Sequence, residues 1–190
     1  MEYHLEYMPP EDLEQIYHKI CRDFPPDECK KLTHLQALME SGMEVGWYLV
    51  ADGRRAGYAM ILRHPAAPFV LLDYLAMEQP GQGAGTACLT LLKAEYPQGI
   101  LAEVETPSPT LPEEVNQLRR RRFGFYRRCG FLPYAFPNRI YGVEYLIHLW
   151  CPAPLEQPER QAALALDTLY ALQFPLEVYQ ENIRIQPPED

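Results

Sequence analysis

No run of about 18 apolar residues occurs in the 190-residue chain, so no transmembrane helix is expected. The opening, MEYHLEYMPPEDLEQ, is acidic and has neither a basic n-region nor an apolar h-region. No signal peptide is expected from it. Cysteine is sparse. Cys21, Cys29, Cys88, Cys129 and Cys151 form no CxxC pair and are odd in number. That argues against a disulfide framework and for a reduced, cytoplasmic protein. His4, His18, His34, His64 and His148 show no metal-ligand spacing, so no metal site is expected. Gly-Lys-Ser/Thr is missing, which excludes a Walker-type nucleotide site. Basic residues are the minority, and the net charge is −9. A nucleic-acid partner is therefore not expected, and nothing points to a membrane partner.

What is present is enough for a folded core. The apolar fraction is 47%, which suits one domain, or one domain with an appendage. Residues 1–151 read as the domain. Cys151-Pro152-Ala153-Pro154 changes the texture, and residues 152–190 read as a C-terminal extension. The basic residues cluster: Arg119, Arg120, Arg121, Arg122, Arg127 and Arg128 fall within ten positions. Such a run is either a solvated helix face or a contact for phosphate or an acidic partner.

Periodicity and turn chemistry give the element order. Pro10–Cys21 reads as a helix with Leu13, Ile16, Tyr17 and Ile20 on one face. Phe24-Pro25-Pro26 breaks it, and Asp27–Glu40 resumes as helix until Ser41-Gly42. Val45–Ala51 and Ala56–Leu62 read as strands joined by Asp52-Gly53, a strong hairpin signal. Phe69–Met77 is nearly all apolar and reads as a central strand. A helix to about Tyr96 follows, then a strand over Ile100–Glu105 and a helix over Glu113–Cys129 closed by Gly130. Phe131–Ala135 and Val143–Trp150 read as strands, Pro158–Gln173 as an alanine- and leucine-rich helix, and Leu176–Ile185 as short strand or coil. The sum is an α/β fold with a mixed sheet, not a strictly alternating wind. The extension either packs back on the domain or bridges a homodimer.

Between the central strand and the next helix stand Gly81, Gly83 and Gly85. A strand, a glycine-rich turn and a helix start in succession make an anion site. Glycines let successive N–H groups point into one concavity, and the helix N-terminus adds its positive end. A phosphate-bearing ligand held through backbone is expected.

Three stretches then carry a resemblance. Leu75-Ala76-Met77 is followed by Gly81-Gln82-Gly83-Ala84-Gly85. Leu101-Ala102-Glu103-Val104-Glu105 forms the next strand, and Phe125-Tyr126-Arg127-Arg128-Cys129-Gly130-Phe131 fits an F-Y-x-x-x-G-F signature. In order and spacing they resemble the GNAT superfamily of acyl-CoA-dependent N-acetyltransferases over about residues 1–150. Phe24-Pro25-Pro26-Asp27-Glu28 between two helices is similar to a bacterial branch of it. The resemblance implies a mostly antiparallel central sheet flanked by helices, with a C-terminal helical extension beyond it. It also implies acetyl-CoA as co-substrate, no metal, and transfer of the acetyl group to a primary amine in a ternary complex. Two positions depart from the family pattern. Pro80 stands where Gln or Arg is usual, and Arg119 stands where Asn is often found, seven residues before Tyr126. The phosphate loop is thus expected to rely on backbone donors.

The resemblance assigns roles residue by residue. N–H groups near Leu75 and Met77 serve the thioester carbonyl and pantetheine, an oxyanion-hole task. Gln82, Gly83, Ala84, Gly85 and Thr86 cradle the pyrophosphate. Tyr126 is the candidate general acid for the departing thiolate, its phenol matched by a pKa of about 10. It also fits an apolar stripe with Leu118, Phe125 and Cys129. Glu103, ranked just above Asp73, is the candidate base, acting directly or through a water. The acceptor is a small-molecule or peptide amine.

Two rivals remain. Gly81-x-Gly83 begins a dinucleotide fingerprint, with Glu105 about 20 residues on, but Thr86 stands at its third glycine. A non-catalytic acyl-CoA-binding or protein-interaction module on the same fold is the second, favoured by Pro80 and Arg119.

Overall fold

The structure is a computed structural model that describes residues 2–26 and 28–188. The strands are β1 (Tyr3–Met8), β2 (Glu44–Ala51), β3 (Arg54–Leu62), β4 (Val70–Met77), β5 (Ile100–Glu105), β6 (Leu132–Tyr134), β7 (Asn138–Ile140), β8 (Tyr145–Trp150) and β9 (Ile183–Ile185). The helices are α1 (Leu13–Asp23), α2 (Leu32–Glu40), α3 (Ala84–Glu95), α4 (Glu113–Arg128), α5 (Pro158–Gln173) and α6 (Leu176–Asn182). Seven strands are hydrogen-bonded in the order β1-β2-β3-β4-β5-β8-β6, and β7 pairs with β9 in a separate ribbon. The sheet is mostly antiparallel and flanked by helices, as expected. The chain divides into two compact units: Met1–His64 with Leu72–Glu95, and Pro65–Leu71 with Tyr96–Asp190.

In the first unit, α1 and α2 bury their apolar stripes against β1 to β4. Leu13, Ile16, Ile20, Leu35 and Met39 join Met8, Tyr48, Val50, Tyr58, Met60 and Tyr74 in one cluster. The Asp52-Gly53 hairpin forms as expected, with both residues at positive φ (47° and 76°). β1 was not expected. Its sequence, YHLEYM, lies half exposed, so it carries little of the apolar signal that marks an inner strand. It pairs antiparallel with β2, Tyr3 opposite Ala51 and Met8 opposite Gly46.

The first helix starts later than expected, because Pro10–Asp12 is a 3-10 turn. It ends at Phe24, held extended before Pro25 (φ −123°, ψ 150°). α2 begins at Leu32, not at Asp27, which lies outside the described residues. The reason is a competing set of bonds. The Lys30 N–H donates to the Tyr74 hydroxyl at 3.0 Å, and that hydroxyl donates to the Glu28 carbonyl at 2.9 Å. These backbone groups are spent outside a helix.

In the second unit, β8 pairs antiparallel with β5 and β6. β5 and α5 have the expected bounds, and α4 ends one residue early, with Gly130 at φ 79° after it. β7 was not expected. The segment read as strand or coil is instead α6 followed by β9, which pairs with β7, Asn138 opposite Ile185. The extension packs back within this unit: Ala162, Ala163, Ala165, Leu166 and Leu169 of α5 are fully buried.

Candidate active site

The end of β4 is fixed by close packing on β3. A Cβ at Gly57 would lie 2.6 Å from the Ala76 carbonyl oxygen and 2.7 Å from the Met77 side chain. Only glycine lets the two strands meet there. The Glu78 N–H then donates to the Ala56 carbonyl at 2.9 Å, so the chain leaves β4 in a defined direction.

Next comes the glycine turn. Gly81 and Gly83 have φ of 91° and 80°, and neither has an atom within 4 Å of where a Cβ would stand. The glycines are there for conformation, and the space before them is open. The Ala87 N–H bonds back to the Gly83 carbonyl at 3.0 Å, so Gly83 caps α3. The preceding N–H groups, of Ala84 and Gly85, belong to the first turn, whose donors have no acceptor inside a helix. Gln82 and Thr86 are exposed, whereas Ala84 is buried. The Gln82 amide is held by Gln79 at 3.0 Å. No acidic residue lies between Gln79 and Thr90, and Glu78 is ion-paired with Lys19. The turn therefore suits a pyrophosphate held through backbone donors.

Asp73, the second candidate base, is engaged. Its carboxylate accepts from the Lys30 ammonium at 2.6 Å, and Glu44 lies 3.8 Å from the same ammonium. The side chains of Lys30 and Asp73 are 10% and 7% exposed and that of Glu44 is 0% exposed. Both Glu44 oxygens lack a hydrogen-bond donor. Burial first, and then the Asp73 charge, hold the Glu44 carboxyl well above the usual carboxylate range, with Lys30 opposing. One cation thus serves two buried carboxyl groups. Leu75 and Met77, further along β4, are half buried.

The second unit holds the other candidates. Glu103 pairs across from Ile147, and Ala102 across from His148. Directly paired residues share a face and neighbours along a strand alternate, so Glu103 and His148 face opposite sides of these strands. α5 covers the Glu103 side: the Tyr170 hydroxyl donates to both carboxylate oxygens, at 3.0 and 3.2 Å. α4 covers the His148 side. The Tyr126 ring lies 5.9 Å from the His148 ring, 5.4 Å from Phe131 and 5.3 Å from Phe125. The expected acid and base candidates therefore approach the strands from opposite faces.

Glu105 is bound by Arg119 and by Arg122 at 3.5 Å, and Arg119 also donates to the Thr106 carbonyl at 2.8 Å. Arg119, in the position of the usual Asn, braces the end of β5. Arg120 pairs with Glu113. Much of the arginine run is thus committed to its own unit. Cys88 is fully buried on α3, and burial pushes its thiol up to about 12, which fits a structural thiol.

His148, Tyr170, Lys30 and Glu44 were not singled out from the sequence as site residues. His148 becomes visible only through the β5–β8 register, and Tyr170 only through the docking of α5. A cavity of about 650 Å³ lies in the second unit, lined by Thr106, Phe136, Arg139, Glu144, Tyr145 and Arg184 among others. Two guanidinium groups against one carboxylate give it no preference for a cation. Among the described residues no His, Cys, Asp and Glu group is arranged for a metal ion, and no helix is long and apolar enough to cross a membrane.

No protein-family model and no curated protein matches the chain. Solved structures do. A GNAT-family protein from Bacteroides thetaiotaomicron superposes with a TM-score of 0.70 at 18% identity, over 89% of this chain and 97% of that one. The aminoglycoside acetyltransferase AAC(6')-Ib, solved with coenzyme A and kanamycin, gives 0.56 at 16% identity, over 80% and 95%. A spermidine N-acetyltransferase variant from Vibrio cholerae gives 0.53 at 13% identity, over 78% and 92%. At these identities the likeness establishes one thing: this chain has the GNAT acetyltransferase fold.

Proposed function

We propose that this GNAT-fold chain is an acyl-CoA-dependent N-acyltransferase that moves an acetyl group from acetyl-CoA to a primary amine by direct transfer. The observation that carries the reading is the succession of β4, the positive-φ turn at Gly81 and Gly83, and the open first turn of α3. Acetyl-CoA supplies the acyl group as a thioester. The N–H groups of Gly83, Ala84, Gly85 and Thr86 are assigned to its pyrophosphate, joined by the exposed Gln82 side chain. Leu75 and Met77 are assigned to its arm and carbonyl.

Proton transfer falls to other residues in this reading. Tyr126 carries a phenol suited to protonating a leaving thiolate. Glu103 is the base; because it meets the strands from the face opposite Tyr126, it is assigned to act on the amine through a water. Asp73 is the weaker base candidate, because its carboxylate already holds the Lys30 ammonium. The acceptor is a small-molecule or peptide amine. Two of the similar structures belong to enzymes named for amine acceptors, an aminoglycoside and spermidine.

The alternative, a non-catalytic acyl-CoA-binding module, is favoured by the engagement of both candidate bases with residues of their own units. A thermal melt with and without CoA tests the shared premise, and an amine screen with acetyl-CoA and a thiol-release readout separates the two. CoA is expected to raise the melting temperature, and at least one amine to release thiol. A melting temperature unmoved by CoA rejects both readings. Binding without turnover selects the module.

A further inference from the structure

The ribbon of β7 and β9 sets two like charges face to face. Arg139 on β7 pairs directly across from Arg184 on β9, and both line the cavity of about 650 Å³ in the second unit. Directly paired residues hold their Cβ atoms about 5 Å apart, and like charges in that position repel. The flanking pair, Ile140 and Ile183, is 5% and 1% exposed. Its burial pins the register, so the arginines cannot slip past each other. Glu144 is the acid among the lining residues. It accepts from Arg139 at 3.0 Å, with the two side chains 71% and 61% exposed. An ion pair so exposed contributes little and gives way readily to a competing anion. Arg184 is held differently. Its Nη1 donates to the carbonyls of Gln180 and Ile183, the latter at 2.7 Å. Those carbonyls fix the side chain and leave its charge intact.

We propose that this cavity binds a small organic molecule carrying one carboxylate, held by Arg139 and Arg184 together; the proposal goes beyond the acyltransferase reading and does not depend on it. Two guanidinium groups against Glu144 leave the lining one positive charge in excess, which suits a monoanion. A phosphate dianion would reverse that excess. The planar guanidinium forks match a carboxylate two bonds at a time, and a bound carboxylate offsets the repulsion between them. The neighbouring polar groups are spent on the walls. Asn138 gives its amide to the Phe136 and Tyr145 carbonyls at 2.9 and 2.8 Å. The Gln186 N–H goes to the Pro137 carbonyl at 2.9 Å. The apolar body of the ligand falls to Ala135, Pro137 and Leu146, which line the same cavity and are exposed or half buried. Covering them is favourable. β9 belongs to the C-terminal extension, so that segment supplies half of the anion clamp.

The test is a nitrogen-15 NMR titration of the full chain at fixed ionic strength. The probes are phenylacetate, its neutral isostere phenylacetamide, and inorganic phosphate. Phenylacetate is expected to bind saturably with a Kd of about 1 mM or lower, shifting resonances of residues 135–146 and 184–186 that line the cavity. The amide binds at least about tenfold more weakly, and phosphate also binds more weakly than phenylacetate. Arg139→Gln and Arg184→Gln each weaken phenylacetate about tenfold. Glu144→Gln tightens it several-fold, because a competing carboxylate is gone; damage to the fold cannot produce that gain. Equal binding of acid and amide, unchanged binding in the arginine variants, or no gain in Glu144→Gln overturns the proposal. So does phosphate binding more tightly than phenylacetate, or no saturable binding up to about 10 mM.

Discussion

Tyr126 keeps its ring against Phe125, Phe131 and His148, so Tyr126→Phe removes the hydroxyl and retains that ring packing. Turnover is expected to fall by about two orders of magnitude if the hydroxyl protonates the thiolate. CoA affinity by calorimetry and the melting temperature stay close to wild type. An unchanged kcat sinks the acid role. His148, buried beneath that ring, is kept neutral near pH 7: burial lowers its pKa, the Leu146 carbonyl partly opposes, and the charge of Arg127 adds to the lowering. The imidazole Nε2 has no hydrogen-bond partner, so a neutral ring is also the less costly state there. At Gly57 the deciding quantity is distance. A methyl group placed 2.6 Å from the Ala76 carbonyl would push β3 away from the strand that leads into the glycine turn.

Among the elements, the segment between α1 and α2 does the least predictable work. Lys30 reaches from it to Asp73 on β4 and Glu44 on β2, an arrangement that one ammonium cannot fully neutralise. Because the Glu44 carboxyl is held above its ordinary value, its contribution to stability is complete below the ordinary carboxylate range. That contribution is lost as pH rises through the folded value. Glu44→Gln removes the ionisation and leaves Lys30 paired with Asp73. The variant is expected to gain melting temperature over wild type at about pH 8, and to gain less at about pH 5. Equal gains at both pH values count against this account. The sequence shows α1, the Asp52-Gly53 hairpin, β4, β5, α4 and α5 clearly, because each carries a period or a turn signal of its own. It hides β1 and β7. These are short or half-exposed strands whose only reason to form is a partner elsewhere in the chain. The candidate site divides the same way. Gly81, Gly83 and Tyr126 announce themselves by spacing, whereas the Tyr170–Glu103 and Lys30–Asp73 bonds join residues far apart in sequence, and no local pattern encodes them.

For the molecule as a whole, the extension from Pro152 onward is part of the second unit's core. Cutting the chain after Cys151 removes the buried face of α5, where each leucine contributes about 1.5–3 kcal/mol. It also strips β7 of its partner. The truncated protein is expected to lose cooperative unfolding in the second unit or to aggregate, as read by thermal melts and sizing. A monomer with a sharp, unchanged transition contradicts that expectation. The β7–β9 ribbon has a further consequence, in time. The first unit has all its described strands and helices once Glu95 has been made. The second unit waits for Ile185 to meet Asn138, a pairing closed late over a long loop. On the ribosome, therefore, the Gly81–Gly83 turn and the elements around it are synthesised before the partner of β7 exists. Glu103 likewise waits for Tyr170, 67 positions later, before its carboxylate finds that donor.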